Sequence, residues 1–89
     1  MDIRHDADLQ RFQTTVDGHD AEVTYEVEDG VMLITHTGVP EAIGGRGIAG
    51  ELVRAAFDHA RAQGMGVRPV CAYAAAWVKR HRGYADLVR

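Results

Sequence analysis

Eleven residues, Val39-Pro40-Glu41-Ala42-Ile43-Gly44-Gly45-Arg46-Gly47-Ile48-Ala49, constrain this chain more than any other stretch. An apolar run, Val31 to Ile34, leads into them, and an amphipathic helix pattern leads out. Ile48, Leu52, Val53, Ala56, Phe57 and Ala60 recur at spacings of three and four, while Glu51, Arg54, Asp58 and Arg61 lie off that face. The pattern predicts a helix that begins near Gly45 to Gly47 and runs to about Gln63, with Gly64 as its C-terminal cap. Val67-Arg68-Pro69-Val70-Cys71 then reads as a short buried strand. Strand, helix and strand in that order close as a βαβ unit, with parallel strands and a right-handed crossover. Such a unit sets glycines beside the first N–H groups of a helix, which have no internal acceptor. Those donors and the positive end of the helix dipole favour an anion there.

The residues before the unit supply a sheet to support it. The first eight are polar and are expected to fray. Phe12, Thr14 and Val16 alternate with polar neighbours, and Asp17-Gly18 supplies a hairpin turn. Ala21, Val23, Tyr25 and Val27 alternate against Glu22, Thr24, Glu26 and Glu28, giving one core face and one acidic wet face. Asp29-Gly30 marks a second hairpin. Val31 to Ile34 are apolar at consecutive positions, which predicts a strand covered on both faces and continued by Thr35 to Gly38. Three antiparallel strands are thus expected within residues 10–38. Pro69 cannot donate to a ladder, so its strand needs an edge, a bulge or a gap at that point. A second helix is expected at about Ala72–Arg80, with Tyr73/Trp77 and Ala74/Val78 paired one turn apart. The tail Tyr84–Val88 should pack back. The predicted fold class is α+β in the order β-β-β-α-β-α. It forms one domain over residues 1–89, with an ordered core of about 10–88.

Composition narrows the classes of function. An apolar fraction of 46% with 26% charged residues belongs to a globular chain rather than a disordered one. No run approaches the ~18 apolar residues of a membrane helix, and the polar start, Met1-Asp2-Ile3-Arg4-His5-Asp6, is unlike a signal peptide. No membrane partner is expected. The single cysteine, Cys71, excludes an intrachain disulfide and suits a reducing cytoplasm. The histidines are scattered and no C-x-x-C occurs, so no metal site is expected. Charge is divided: residues 1–45 sum to −8 and residues 46–89 to +5, so the glycine loop lies on the basic side. Nucleic acid is disfavoured, because the basic run Lys79 to Arg82 is short and no aromatic platform accompanies it.

Gly45-Arg46-Gly47-Ile48-Ala49-Gly50 matches G-x-G-x-x-G, the dinucleotide fingerprint. That motif needs a tight turn directly after the strand and an acidic residue ~20 positions further on. Val39 to Ile43 intervene here, and Val70 and Cys71 stand where the acid belongs, so the dinucleotide reading is rejected. The loop resembles instead the signature of the GNAT superfamily of N-acetyltransferases, (Arg/Gln)-x-x-Gly-x-(Gly/Ala). The likeness extends to small single-cysteine members through His36-Thr37-Gly38-Val39-Pro40, Gly45-Arg46-Gly47-Ile48-Ala49, Pro69-Val70-Cys71, Tyr73, Trp77 and His81-Arg82-Gly83-Tyr84. It covers about residues 10–88.

The resemblance implies acetyl-CoA as cofactor and an amine acceptor as partner. Backbone amides of Ile43, Gly44, Gly45, Arg46, Gly47, Ile48 and Ala49 would bind the pyrophosphate. The strand His36, Thr37, Gly38 and Val39 would pair with the pantetheine arm beside a splay in the sheet, with Pro69 across it. Tyr73 would contact the cofactor, or serve with Trp77 as core. Arg80 and His81 would reach the phosphates at the nucleotide end, or complement the helix dipole. This chain departs from the family at Gly44, where Arg or Gln is usual, and at Gly38, where many relatives carry an acid.

Two groups remain for chemistry. Cys71 begins a helix, whose N-terminal donors favour a thiolate, so it is a candidate nucleophile or a pocket lining; an inert buried thiol is the alternative. His36 is a candidate base, or a core histidine bonded to backbone. The expected function is acetyl transfer to an amine, by a monomer or homodimer. A non-catalytic acyl-CoA-binding module and an interaction domain using the basic half are the other classes.

Overall fold

In the computed structural model, which describes residues 1–89, one sheet carries five strands in the order β1-β2-β3-β4-β5. They are β1 (Arg4–Asp6), β2 (Arg11–Val16), β3 (His19–Glu28), β4 (Val31–Gly38) and β5 (Gly66–Pro69). Neighbours are antiparallel through β4, and β5 is parallel to β4. Helix α1 (Ile48–Ala62) makes the crossover between them, and α2 (Ala72–Arg80) follows β5. The α+β order read from the sequence is present, with one strand added at the front.

Local chemistry accounts for the connections. Asp17 and Gly18 have φ of +50° and +76°, and Asp29 and Gly30 have +51° and +76°. Two successive positive values make the mirror-image turn whose twist matches a hairpin. Helix α1 ends at Gly64, φ +71°, where the Met65 N–H reaches the Ala60 carbonyl at 2.8 Å and the Gly64 N–H reaches Arg61 at 3.2 Å. This paired closure satisfies two carbonyls that the last turn would otherwise leave open. The apolar stripe of α1 lies on the sheet, where Phe57, Leu52, Val53, Met32, Ile34 and Val23 are fully buried. The Phe57 ring tilts against Trp77 at 5.3 Å and meets Tyr84 edge-on at 5.7 Å.

Three expectations change. The N-terminus does not fray: Arg4, His5 and Asp6 pair with Gln13, Phe12 and Arg11. The His5 ring stacks on Phe12 at 4.2 Å, and its Nε2 lies 2.6 Å from the Tyr25 hydroxyl. A polar composition conceals that aromatic anchor. Strand β4 is not covered on both faces. Met32 and Ile34 are buried under α1, whereas Val31 and Leu33 are half-buried on the opposite, open face. Strand β5 stops at Pro69 instead of Cys71, because the Val70 and Cys71 N–H groups both turn to the Ile34 carbonyl at 3.0 Å. The tail does pack back, with Leu87 buried and the Arg89 N–H on the Val67 carbonyl at 2.9 Å.

One irregularity positions everything that follows. Tyr25 pairs with Ile34 but Thr24 pairs with His36, so Thr35 is an extra residue in β4. Its hydroxyl donates to the Thr24 carbonyl at 3.2 Å, and the two threonine hydroxyls are 3.0 Å apart. Strict alternation would put His36 on the buried face of Met32 and Ile34. The bulge reverses the faces. His36 joins Glu22 and Thr24 on the open face, and Thr37 turns inward beside Val23.

Candidate active site

The glycine loop is held from below by Ile43, which ends a 3-10 turn (Glu41–Ile43) and is fully buried. Gly45 and Gly47 then adopt φ of +76° and +77°, a region where a side chain costs about 1–2 kcal/mol. Gly47 is the N-cap of α1 and has no side chain to bond the helix start. The backbone N–H groups from Gly45 to Gly50 consequently find no acceptor within the chain; the next, on Glu51, donates to the Gly47 carbonyl at 3.2 Å. Six adjacent donors at a helix N-terminus form an anion cradle. They border a cleft of about 260 Å³. Val39, Ile43, Gly44, Gly45, Gly47, Ile48, Ala49 and Tyr73 line it.

Two loop residues have other duties. Arg46 turns away to Asp17, with Nη1 2.6 Å from Oδ2 in an exposed pair. Gly50 faces α2, where an added Cβ would lie 3.4 Å from the Tyr73 hydroxyl and 3.5 Å from Trp77 Nε1. The third glycine of the run therefore lets the helices approach, and Tyr73 reaches the cleft because of it.

Beside the loop the sheet opens. Parallel pairing of β4 with β5 runs from Val31↔Gly66 to Ile34↔Pro69 and stops. Thr35 to Gly38 keep β3 on one side and have no strand on the other. Cys71 sits at the mouth of this splay as the N-cap of α2. Its Sγ accepts from the Ala74 N–H at 3.3 Å and lies 3.4 Å from Thr37 Oγ1. From Thr37 the chain passes through Gly38 to Val39, which lines the cleft beside the glycine loop.

On the open face the same segment carries His36, whose side chain is 63% exposed, so it is not a core histidine. Its Nε2 is 3.7 Å from Glu22 Oε2. A Cβ on Gly38 would stand 2.6 Å from that oxygen and 3.0 Å from that nitrogen. Glycine at 38 thus leaves the space in which a carboxylate and an imidazole meet. Glu22 was hidden in the acidic alternation of its strand, and nothing local distinguishes it; the bulge at Thr35 sets its register.

The remaining candidates are not all brought together. Trp77 is core and Tyr73 lines the cleft. His81 is tied to α2 itself, its ring stacked on Trp77 at 4.0 Å and Nδ1 2.7 Å from the Trp77 carbonyl. Arg80 is exposed at the same helix end, which a nine-residue helix sets about 13 Å from the Cys71 end.

The sequence and the fold both have counterparts in known proteins. A family model described as GCN5-related N-acetyl-transferase matches residues 11–87. Protein NATD1 of Mus musculus is 34% identical over 82 residues, which is 89% of this chain and 74% of the mouse protein. The NMR solution structure of a GCN5-like protein from Staphylococcus aureus superposes with a TM-score of 0.78 at 27% identity, covering 99% of this chain and 87% of that one. With its sequence matched over most of its length and its fold reproduced in a solved relative, the chain belongs to the GCN5-related N-acetyltransferase family.

Proposed function

We propose that this protein binds acetyl-CoA at the glycine loop and transfers the acetyl group to an amine. The observation that carries the reading is the run of N–H groups from Gly45 to Gly50 without acceptors, next to a strand edge without a partner. The pyrophosphate supplies acceptors for the first, and the amides of the pantetheine arm supply a ladder for the second. Val39, Ile43 and Ile48 give the groove apolar walls. The cofactor brings acetyl as a thioester. As the acceptor's N–C bond forms and the C–S bond breaks, the amine gives up one proton and the departing sulfur takes one.

His36 is the group that receives the amine proton, held by Glu22. Cys71 caps α2 and lines the groove at the thioester. A covalent acetyl-cysteine route needs a base within about 2.6–3.2 Å of the thiol. Thr37 and the Ala74 N–H are the neighbours of Sγ, and His36 leaves β4 on the other face. We therefore favour direct transfer to the amine.

Isothermal titration with acetyl-CoA and release of coenzyme A thiol in amine mixtures test the reading. Saturable heat that weakens with salt, together with amine-dependent release, is the expected result. Heat without release identifies a non-catalytic binding module, and no heat with no thermal shift removes the coenzyme from the account.

A further inference from the structure

Two cross-strand rows run side by side over the open face of the sheet. One is Arg4, Gln13, Glu22 and Gly38; the other is Asp6, Arg11, Thr24 and His36. Both rows end at β4, where His36 meets Glu22. Their β1–β3 ends enclose a pocket of about 200 Å³ lined by Arg4, Arg11, Gln13, Asp20, Ala21 and Glu22. Two guanidinium groups and two carboxylates therefore share one small space. They do not neutralise one another: the arginine–carboxylate pairs of the chain are Arg46–Asp17 and Arg61–Asp86, and Glu22 has only the His36 ring near it, at 3.7 Å. Arg4 reaches only the Thr15 hydroxyl, at 3.3 Å, and Thr15 itself donates to Asp20 at 2.6 Å. Arg11 Nε is buried with no hydrogen-bond partner. The terminal nitrogens of Arg11 make no bond within the chain either, and that end of the planar fork matches a carboxylate.

We propose that this pocket is the acceptor subsite, and that it takes a small amine bearing a carboxylate, an amino-acid-type zwitterion. The inference rests on the acetyl-transfer reading and adds the class of substrate. Arg11, with Arg4 beside it, holds the substrate carboxylate. Glu22 lines the pocket and also faces His36, so it draws the ammonium end towards the imidazole that removes its proton. An amine without a carboxylate leaves the two arginines of the pocket with no anion to hold. A pocket below the usual 300–1,000 Å³ of a drug-sized site suits a ligand of few atoms.

L-lysine and pentane-1,5-diamine share one carbon chain and differ by the carboxylate, so they are the probes. Each is titrated into the isotope-labelled full chain without acetyl-CoA, and the backbone amide spectrum is followed. Lysine should move the amides of Gln13, Glu22 and Gly38 and should bind at least about tenfold more tightly than the diamine, the scale of a hydrogen bond to a charged group. Arg11→Gln should bring lysine down to the affinity of the diamine. In turnover it should raise the KM for lysine about tenfold and leave the KM for acetyl-CoA unchanged. If that variant does not fold, Arg11→Lys, which keeps the charge without the fork, should give a partial loss. Equal binding of the two probes, lysine shifts elsewhere or absent, or full lysine affinity in either variant overturns the proposal. Failure of the acetyl-CoA reading shows separately, as unmoved Gly45–Gly50 amides on addition of acetyl-CoA.

Discussion

Replacing Gly47 separates the cost of folding the loop from the cost of losing its ligand. At φ +77° a side chain is strained, yet an added Cβ would have no heavy atom within 4 Å. Gly47→Ala should therefore destabilise by strain alone, about 1–2 kcal/mol. For a domain of this size that is a fall in melting temperature of about 4–16 °C, against a total stability of roughly 4–13 kcal/mol. Most molecules remain folded at 25 °C. Gly30 provides a matched control: its φ is +76°, its Cβ position is equally empty, and it lies in the β3–β4 turn. Gly30→Ala should lower the melting temperature by a similar amount and bind acetyl-CoA as the wild type does. Gly47→Ala redirects the peptide N–H groups on either side of position 47. Losing one or two charge-assisted hydrogen bonds costs about 1.5–3 kcal/mol each, so binding should weaken by at least tenfold. Gly47→Val should abolish it. Scanning fluorimetry gives the stability and isothermal titration gives the affinity. A folded Gly47→Val protein with wild-type affinity would refute the loop as the binding element.

Cys71→Ser should keep the α2 cap, since serine is a good N-cap, and should keep substantial turnover; loss of turnover, with an acetyl adduct on the wild-type protein by mass spectrometry, would establish the covalent route instead. Gly50→Leu should destabilise by about 1–3 kcal/mol in urea melts, because its side chain must displace Tyr73 and Trp77. Burial, then the neighbouring His59, holds the His5 pKa below its ordinary value of 6.5 against the opposing pull of Asp6. The fold thus favours neutral His5, so its contribution is complete above pH 6.5 and is lost as the pH falls through the folded pKa. Urea midpoints measured between about pH 7 and pH 5 should decline in the wild type and decline less in His5→Gln.

The parts of this molecule that were legible in its sequence are those fixed by neighbours along the chain. The stripe Ile48 to Ala60 fixes α1 within a residue or two, the two Asp-Gly pairs fix both hairpins, and Gly64 fixes the helix end. Pro69 marked the point where the sheet stops being continuous, and pairing ends there. What escaped depends on register. Strand β1 is held by a stack of His5 on Phe12 that three polar residues do not announce. The bulge at Thr35 has no sequence mark beyond two threonines on neighbouring strands, yet it decides that His36 faces solvent and Thr37 faces Cys71. Glu22 meets His36 only through that register, and Arg11 joins the same face through the β2–β3 pairing, so local patterning shows both as ordinary polar strand positions. The apolar run Val31–Ile34 misled for a related reason: consecutive hydrophobic residues indicate burial, but Val31 and Leu33 are half-covered by neighbouring side chains, with no second layer above them.

The proposed binding element for the coenzyme is the run of backbone N–H groups in one loop. Titrating acetyl-CoA into the labelled protein and following the amide resonances of Gly45 to Gly50 tests it most directly. These six resonances should move further than any others as the site saturates, with smaller shifts at Thr37, Val39 and Tyr73 along the groove. Saturable binding that leaves the six amides in place while moving others would contradict the account.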